Sequence, residues 1–204
     1  VLLLDEPLAA LDAPSRTRLR GELRALLARF DVAVVLVTHD RDEALALGDH
    51  MVLVAGGSVQ QTGPIAEVFS RPANVDVAGI VGVETVAPAT IRDVSDGLAT
   101  VVTGAAELSA VWAGPDCRDV FVCIRAEDVT LERGALPASS ARNRLRARVT
   151  DLAPSGPLVR VALDCGFPLA ALVTKQSSEQ LALSPGVEVT AVVKAQAVHV
   201  IPRN

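Results

Sequence analysis

The chain has 204 residues, half of them apolar and 21% charged, which suits a globular protein of one or two domains and excludes a disordered tail. Its mean hydropathy of +0.38 comes from Ala and Val spread along the sequence, and apolar runs such as 32–37 fall far short of the ~20 residues of a spanning helix, which excludes a transmembrane reading. The net charge of −5 argues against general nucleic-acid binding.

Residues 1–70 read as alternating strands and helices. Val1-Leu2-Leu3-Leu4 and the run 32–37 are continuous apolar stretches of the kind expected for strands covered on both faces. Between them, 15–30 places Leu19, Leu23, Leu26 and Leu27 at helical spacing. A short helix over 42–47, a strand over 51–55, the turn Gly56-Gly57, a strand through Gln60 and a helix after Pro64 complete an α/β region. The chain opens inside an apolar run with no basic region before it, so no signal peptide is expected and a fragment of a longer protein is.

From about residue 84 the pattern changes to short strands separated by Gly, Pro, Ser and Asp, with one helix expected over 177–183. This part repeats itself. Ile91-Arg92-Asp93-Val94 is echoed by Val149-Thr150-Asp151-Leu152, and Ile124-Arg125-Ala126-Glu127-Asp128-Val129 by Val193-Lys194-Ala195-Gln196-Ala197-Val198. Two copies of one small β unit account for both echoes. The expected division is 1–83, 84–138 and 139–204. Cys117, Cys123 and Cys165 form no CxxC pair and are expected to be small apolar side chains in a reducing compartment.

Asp5 and Glu6 follow a buried strand, and Thr38-His39-Asp40 follows the next, so carboxylates and an imidazole converge where open α/β sheets place their ligands. Adjacent acids at a strand end also occur as helix caps or solvated turns. The longer string decides between these readings: Leu2-Leu3-Leu4-Asp5-Glu6-Pro7, then Leu8-Ala9-Ala10-Leu11-Asp12, then Thr38-His39-Asp40 with Asp42-Glu43-Ala44 behind it resembles the ATPase subunit of ABC transporters. The resemblance implies that Asp5 (Walker B) holds Mg²⁺ through water and that Glu6 polarises the attacking water. It further implies that Asp12 (D-loop) communicates across a dimer and contributes to the ATP site, and that His39 (switch) contacts the γ-phosphate. Phosphoryl transfer is mainly positioning and charge neutralisation, which needs these groups. The G-x-x-x-x-G-K-[ST] loop and the LSGGQ-type motif do not occur in the sequence, so this chain alone is expected to be inactive toward ATP.

Segment 139–204 carries eight basic and four acidic residues, in an otherwise acidic chain. It also holds both lysines, Lys175 and Lys194, among 19 basic residues. Compact ammonium groups with hydroxyls and backbone N–H groups can hold a tetrahedral anion, although ordinary surface lysines would read the same. Ser140-Ala141-Arg142-Asn143, Thr174-Lys175-Gln176-Ser177 and Val193-Lys194-Ala195 resemble the molybdate-binding Mop-type, or TOBE, domain. That resemblance implies an oxyanion site of Ser140, Arg142 and Asn143, of Thr174, Lys175 and Ser177, and of Lys194. Gln196 departs from the Ser that often follows Lys-Ala in such domains.

The expected fold is an α/β P-loop NTPase fragment, a parallel sheet with helices, followed by an all-β OB-like TOBE/Mop domain. The expected function is that of the ATP-hydrolysing subunit of an ABC importer for molybdate, using ATP and Mg²⁺, with molybdate as regulatory ligand. The resemblance implies a peripheral homodimer on the cytoplasmic face of the cell membrane. It would work with two membrane permease subunits and, indirectly, with a periplasmic or extracellular binding protein; its small-molecule partner would be an oxyanion, and it would bind no nucleic acid. The alternatives are an importer for tungstate, sulfate or a sugar, and a non-catalytic molybdate store or sensor.

Overall fold

The computed structural model describes residues 1–29, 31–134 and 139–203. They fall into two compact units, Val1–Ala73 and Asn74–Asn204.

In the first unit β1 (Leu2–Asp5), α1 (Ala13–Leu27) and β2 (Val34–Val37) form a strand–helix–strand crossover. The two strands pair in parallel, with Leu2 opposite Val34 and Asp5 opposite Val37. Pro14 lies in the first turn of α1, where a missing N–H breaks no helical bond. The end of the expected helix at Phe30 lies outside the described residues. One side of the strand pair is open: Leu3 is 72% exposed, Val35 49% and Val37 54%. The unbroken apolar runs are therefore covered on a single face here, because no described element packs on the other.

After α2 (Arg41–Leu47), β3 (His50–Ala55) and β4 (Ser58–Pro64) form a hairpin. Its two-residue loop, Gly56-Gly57, has positive φ at both positions, the requirement of the tight turns that suit strand twist. α3 (Ile65–Ser70) buries Ile65, Val68 and Phe69, and Leu53 of β3 is buried as well.

The second unit begins with α4 (Val75–Ile80), capped by the Asn74 side chain on the Val77 N–H. β5 (Thr85–Ser95), β6 (Leu98–Thr103), β7 (Ala106–Val111), β8 (Asp119–Ile124), the 3₁₀ turn Ala126–Asp128 and β9 (Thr130–Glu132) follow. The series then recurs as β10 (Asn143–Ser155), β11 (Leu158–Asp164), β12 (Pro168–Thr174), β13 (Glu188–Val193), the 3₁₀ turn Ala195–Ala197 and β14 (His199–Pro202). α5 (Lys175–Gln180) is inserted after β12, two residues ahead of the helix expected over 177–183.

The two copies exchange their last strands. The sheets run β14-β8-β5-β6-β7 and β12-β11-β10-β13-β9, so each five-stranded sheet is closed by a strand of the other copy. The bulges correspond as well, falling after Ile91 in one copy and after Val149 in the other. Val101, Leu108, Val120 and Ile124 from the first copy share one core with Val149, Val161, Leu163 and Val193 from the second. Alternation along the strands generates this core: β6 buries Ala99, Val101 and Thr103 while its intervening residues are half-buried. Among the described residues no helix is long and apolar enough to cross a membrane.

Candidate functional site

The first candidate site lies where β1 and β2 end side by side. The Glu6 N–H continues the parallel ladder onto the Val37 carbonyl at 2.9 Å. Glu6 then adopts φ +46, a left-handed conformation that costs a residue with a side chain and is held by its neighbours. Its Oε1 accepts the His39 backbone N–H at 3.1 Å and lies 2.6 Å from the His39 ring Nδ1. The hydrogen bond that the ring N–H donates to Glu6, then the charge of Glu6, raises the His39 pKa above the usual histidine value. Oε2 of Glu6 has no partner among the described residues, nor has the exposed carboxylate of Asp5.

A buried frame holds the histidine segment. Thr38 Oγ1 donates to Glu43 Oε2 at 2.8 Å and accepts the Asp40 N–H at 3.0 Å, and Glu43 is 2% exposed. Asp40 caps α2 through Oδ1, which accepts from Asp42 N and Glu43 N. Burial alone would raise the Asp40 pKa; the two capping N–H groups and the nearby Arg20 and Arg16 outweigh it and hold the carboxyl below its usual range. Arg16 also donates to the Leu11 carbonyl at 3.1 Å, one residue before Asp12, the exposed N-cap of α1. Arg16 thus ties the Asp12 loop to the segment carrying His39. Sequence reasoning missed Arg16 and Arg20, and quoted Glu43 in the Asp42-Glu43-Ala44 string without giving it a role; the i, i+4 spacing of the two arginines was the available signal.

Among the described residues no group of three or more His, Cys, Asp and Glu is placed to hold a metal. A lone exposed carboxylate, Asp5, fits Mg²⁺ only in the manner of a cation held chiefly by water and phosphate oxygens.

In the second unit the sequence-singled residues fall in two places. Asn143 lies opposite Val193 at the end of the β10–β13 ladder, and Arg142 and Lys194, both exposed, are the next residues beyond that pair. Asn143 itself is buried; its side chain accepts from Ser109 N at 2.6 Å and donates to Ser109 O at 2.9 Å, pairing with the edge of β7 as a further strand would. Ser140 is exposed beside this end.

Thr174, Lys175 and Ser177 sit elsewhere. Thr174 caps α5, accepting the Ser177 N–H at 3.0 Å, and its hydroxyl lies 2.8 Å from that of Ser177. Lys175 is exposed, its backbone N–H on the Pro157 carbonyl. Thr174 pairs with Leu158, which pairs with Ser155 at the far end of β10 from Asn143. One chain therefore does not gather Thr174, Lys175 and Ser177 with Arg142, Asn143 and Lys194. Burial pushes the Cys123 and Cys165 thiols up to about 12, so neither is a nucleophile at neutral pH.

A model of the TOBE domain matches residues 139–200. The molybdate/tungstate import ATP-binding protein WtpC of Pyrococcus horikoshii is 36% identical over 205 aligned residues, covering 99% of this chain and 56% of that protein. A sulfate/thiosulfate import ATP-binding protein of Chromobacterium violaceum is 40% identical over 163 residues, covering 80% and 43%. The chain thus spans about half the length of the curated relatives it matches. A crystal structure of the cytoplasmic molybdate-binding protein ModG with molybdate bound has a TM-score of 0.54 at 24% identity, covering 60% of this chain and 98% of its own, a likeness of fold. Residues 139–200 are a TOBE domain, and the chain that carries them is homologous over most of its length to the ATP-binding subunits of ABC importers, those for molybdate and tungstate among them.

Proposed function

We propose that the chain is the C-terminal part of the ATP-hydrolysing subunit of a molybdate importer, with the second unit as its oxyanion-responsive domain. The observation that carries the catalytic half is the Glu6–His39 pair at the ends of adjacent parallel strands. Glu6 keeps one carboxylate oxygen for His39 and leaves the other to orient a water. His39, with Nδ1 committed to Glu6 and its pKa raised, is biased toward the imidazolium, whose Nε2–H can then donate to a terminal phosphate. Such a donor acts on charge that moves in the transition state. Asp5 would hold Mg²⁺ through water; that ion supplies neutralisation of phosphate charge. Asp12 would act across a homodimer, with two membrane permease subunits as partners on the cytoplasmic face and an external binding protein acting through them.

Steady-state ATPase of the intact subunit, wild type against Glu6→Gln, tests the assignment. Turnover falling by 10²-fold or more supports it, and near-wild-type turnover overturns it.

A second reading, import of another oxyanion such as sulfate or tungstate, is favoured by the sulfate/thiosulfate relative and by Gln196, which lacks a hydroxyl. Competition among molybdate, tungstate and sulfate for the purified chain separates the two. A non-catalytic store would use the second unit alone and show no turnover in the intact subunit.

A further inference from the structure

The repeat allows the two strand ends to be compared residue by residue. Thr85 lies opposite Ile124 as Asn143 lies opposite Val193, and each then reaches across to the other copy. Thr85 Oγ1 accepts the Ala170 N–H at 3.0 Å, as Asn143 Oδ1 accepts that of Ser109. One position beyond the last ladder pair, the first copy carries Glu84 and Arg125, and the second carries Arg142 and Lys194. Opposite charges at these two positions have become like charges, which repel one another without a counter-ion.

The surroundings reinforce the contrast. Glu84 is largely buried, its side chain 16% exposed; Oε2 accepts the Ala126 N–H at 3.1 Å and Oε1 meets Arg160 of the other copy at 3.4 Å. Arg125 is further engaged by Glu127 at 3.4 Å. Thr100 pairs with Ser109 as Ala162 pairs with Ala170, so Leu98 holds the place of Arg160. The second strand end thus has two cations, an apolar residue where the first has a cation, and Gln196 where the first has Glu127. Among the described residues neither Arg142 nor Lys194 has an acidic partner.

We infer that Glu84 is a built-in anion: its carboxylate fills at the first strand end the place that the second leaves, between Arg142 and Lys194, for a free tetrahedral oxyanion. The two copies are therefore unequal, and the domain holds half the number of anion sites that its repeat would allow. The inference rests on the oxyanion-binding reading of the second unit and adds which copy binds.

Calorimetric titration of the chain with sodium molybdate, in low-salt buffer free of phosphate and sulfate, counts the sites. Glu84→Gln is expected to double the anions bound per chain, and Arg142→Glu to weaken binding by wild type at least ten-fold. Equal, non-zero stoichiometry in wild type and folded Glu84→Gln overturns the inference and leaves the oxyanion reading standing. No heat in either overturns the reading, and the inference with it. A readout independent of the Glu84 variant is thermal melting: Arg142→Glu, by restoring a matched pair with Lys194, is expected to melt above wild type in the same buffer. A lower melting temperature overturns the like-charge argument.

Discussion

Glu6 Oε1 takes both the backbone N–H and the ring Nδ1 of His39, at 3.1 and 2.6 Å. One carboxylate oxygen therefore fixes the loop and biases the charge of the ring together. His39 is expected to titrate above the usual value of about 6.5 in the wild-type chain and closer to it in Glu6→Gln. A raised folded pKa stabilises the folded form below the unfolded pKa, and that contribution fades as the pH rises through the folded value. NMR titration of the His39 ring protons checks this, and an unchanged value in Glu6→Gln refutes it.

His39→Ala is expected to lower turnover of the intact subunit by at least ten-fold while leaving its melting temperature close to wild type. The ring is 81% exposed, so its removal leaves little packing unsatisfied. A drop in melting temperature with turnover per folded subunit unchanged would instead make His39 structural.

Arg16 joins the Leu11 carbonyl to Asp40. Arg16→Met keeps much of the side-chain volume and removes both links, so the Asp12 loop and the His39 segment lose their common support. The Asp40 carboxyl is held below its ordinary pKa, so its contribution to stability is present above the unfolded pKa and is lost as the pH falls through the folded one. Arg16→Met is expected to move the acid-unfolding midpoint of the chain upward, read by circular dichroism. A midpoint at or below wild type would show that Arg20 and the capping N–H groups suffice.

Asn143→Ala strands both backbone groups of Ser109. Unsatisfied buried polar groups cost about 1–3 kcal/mol each, so the second unit is expected to lose roughly 2–6 kcal/mol in denaturant unfolding. A loss below about 0.5 kcal/mol would mean that water replaces the amide.

The sequence made the crossover of the first unit legible because helical spacing, a helix-starting Pro and apolar strands agree there locally. It marked Asp5, Glu6 and His39 because strand ends bring them together without any long-range information. It also showed the repeat, but not the exchange of β9 and β14: a short alternating strand has the same local pattern whichever sheet it closes. Asn143 entered the expected oxyanion site through the resemblance of Ser140-Ala141-Arg142-Asn143 to the Mop-type domain. Its buried bond to Ser109 depends on 34 intervening residues folding back, and nothing within a few positions of it records that partner.

The separation of Arg142 and Lys194 from Thr174, Lys175 and Ser177 along β10 leads to a prediction about assembly. If all of them serve one oxyanion, two chains must meet, one offering the strand end and the other the α5 cap. Arg142→Ala and Lys175→Ala should then each weaken molybdate binding ten- to a hundred-fold, since charge-assisted bonds contribute about 1.5–3 kcal/mol. Co-refolding the two variants should restore binding, because a mixed dimer contains one junction with both cations intact and one with neither. At equal mixing and random pairing, half the dimers are mixed, so about a quarter of the wild-type sites should return. Calorimetry on the co-refolded mixture measures that fraction. If Lys175→Ala binds as wild type while Arg142→Ala does not, the strand end acts without the α5 cap and binding needs no second chain.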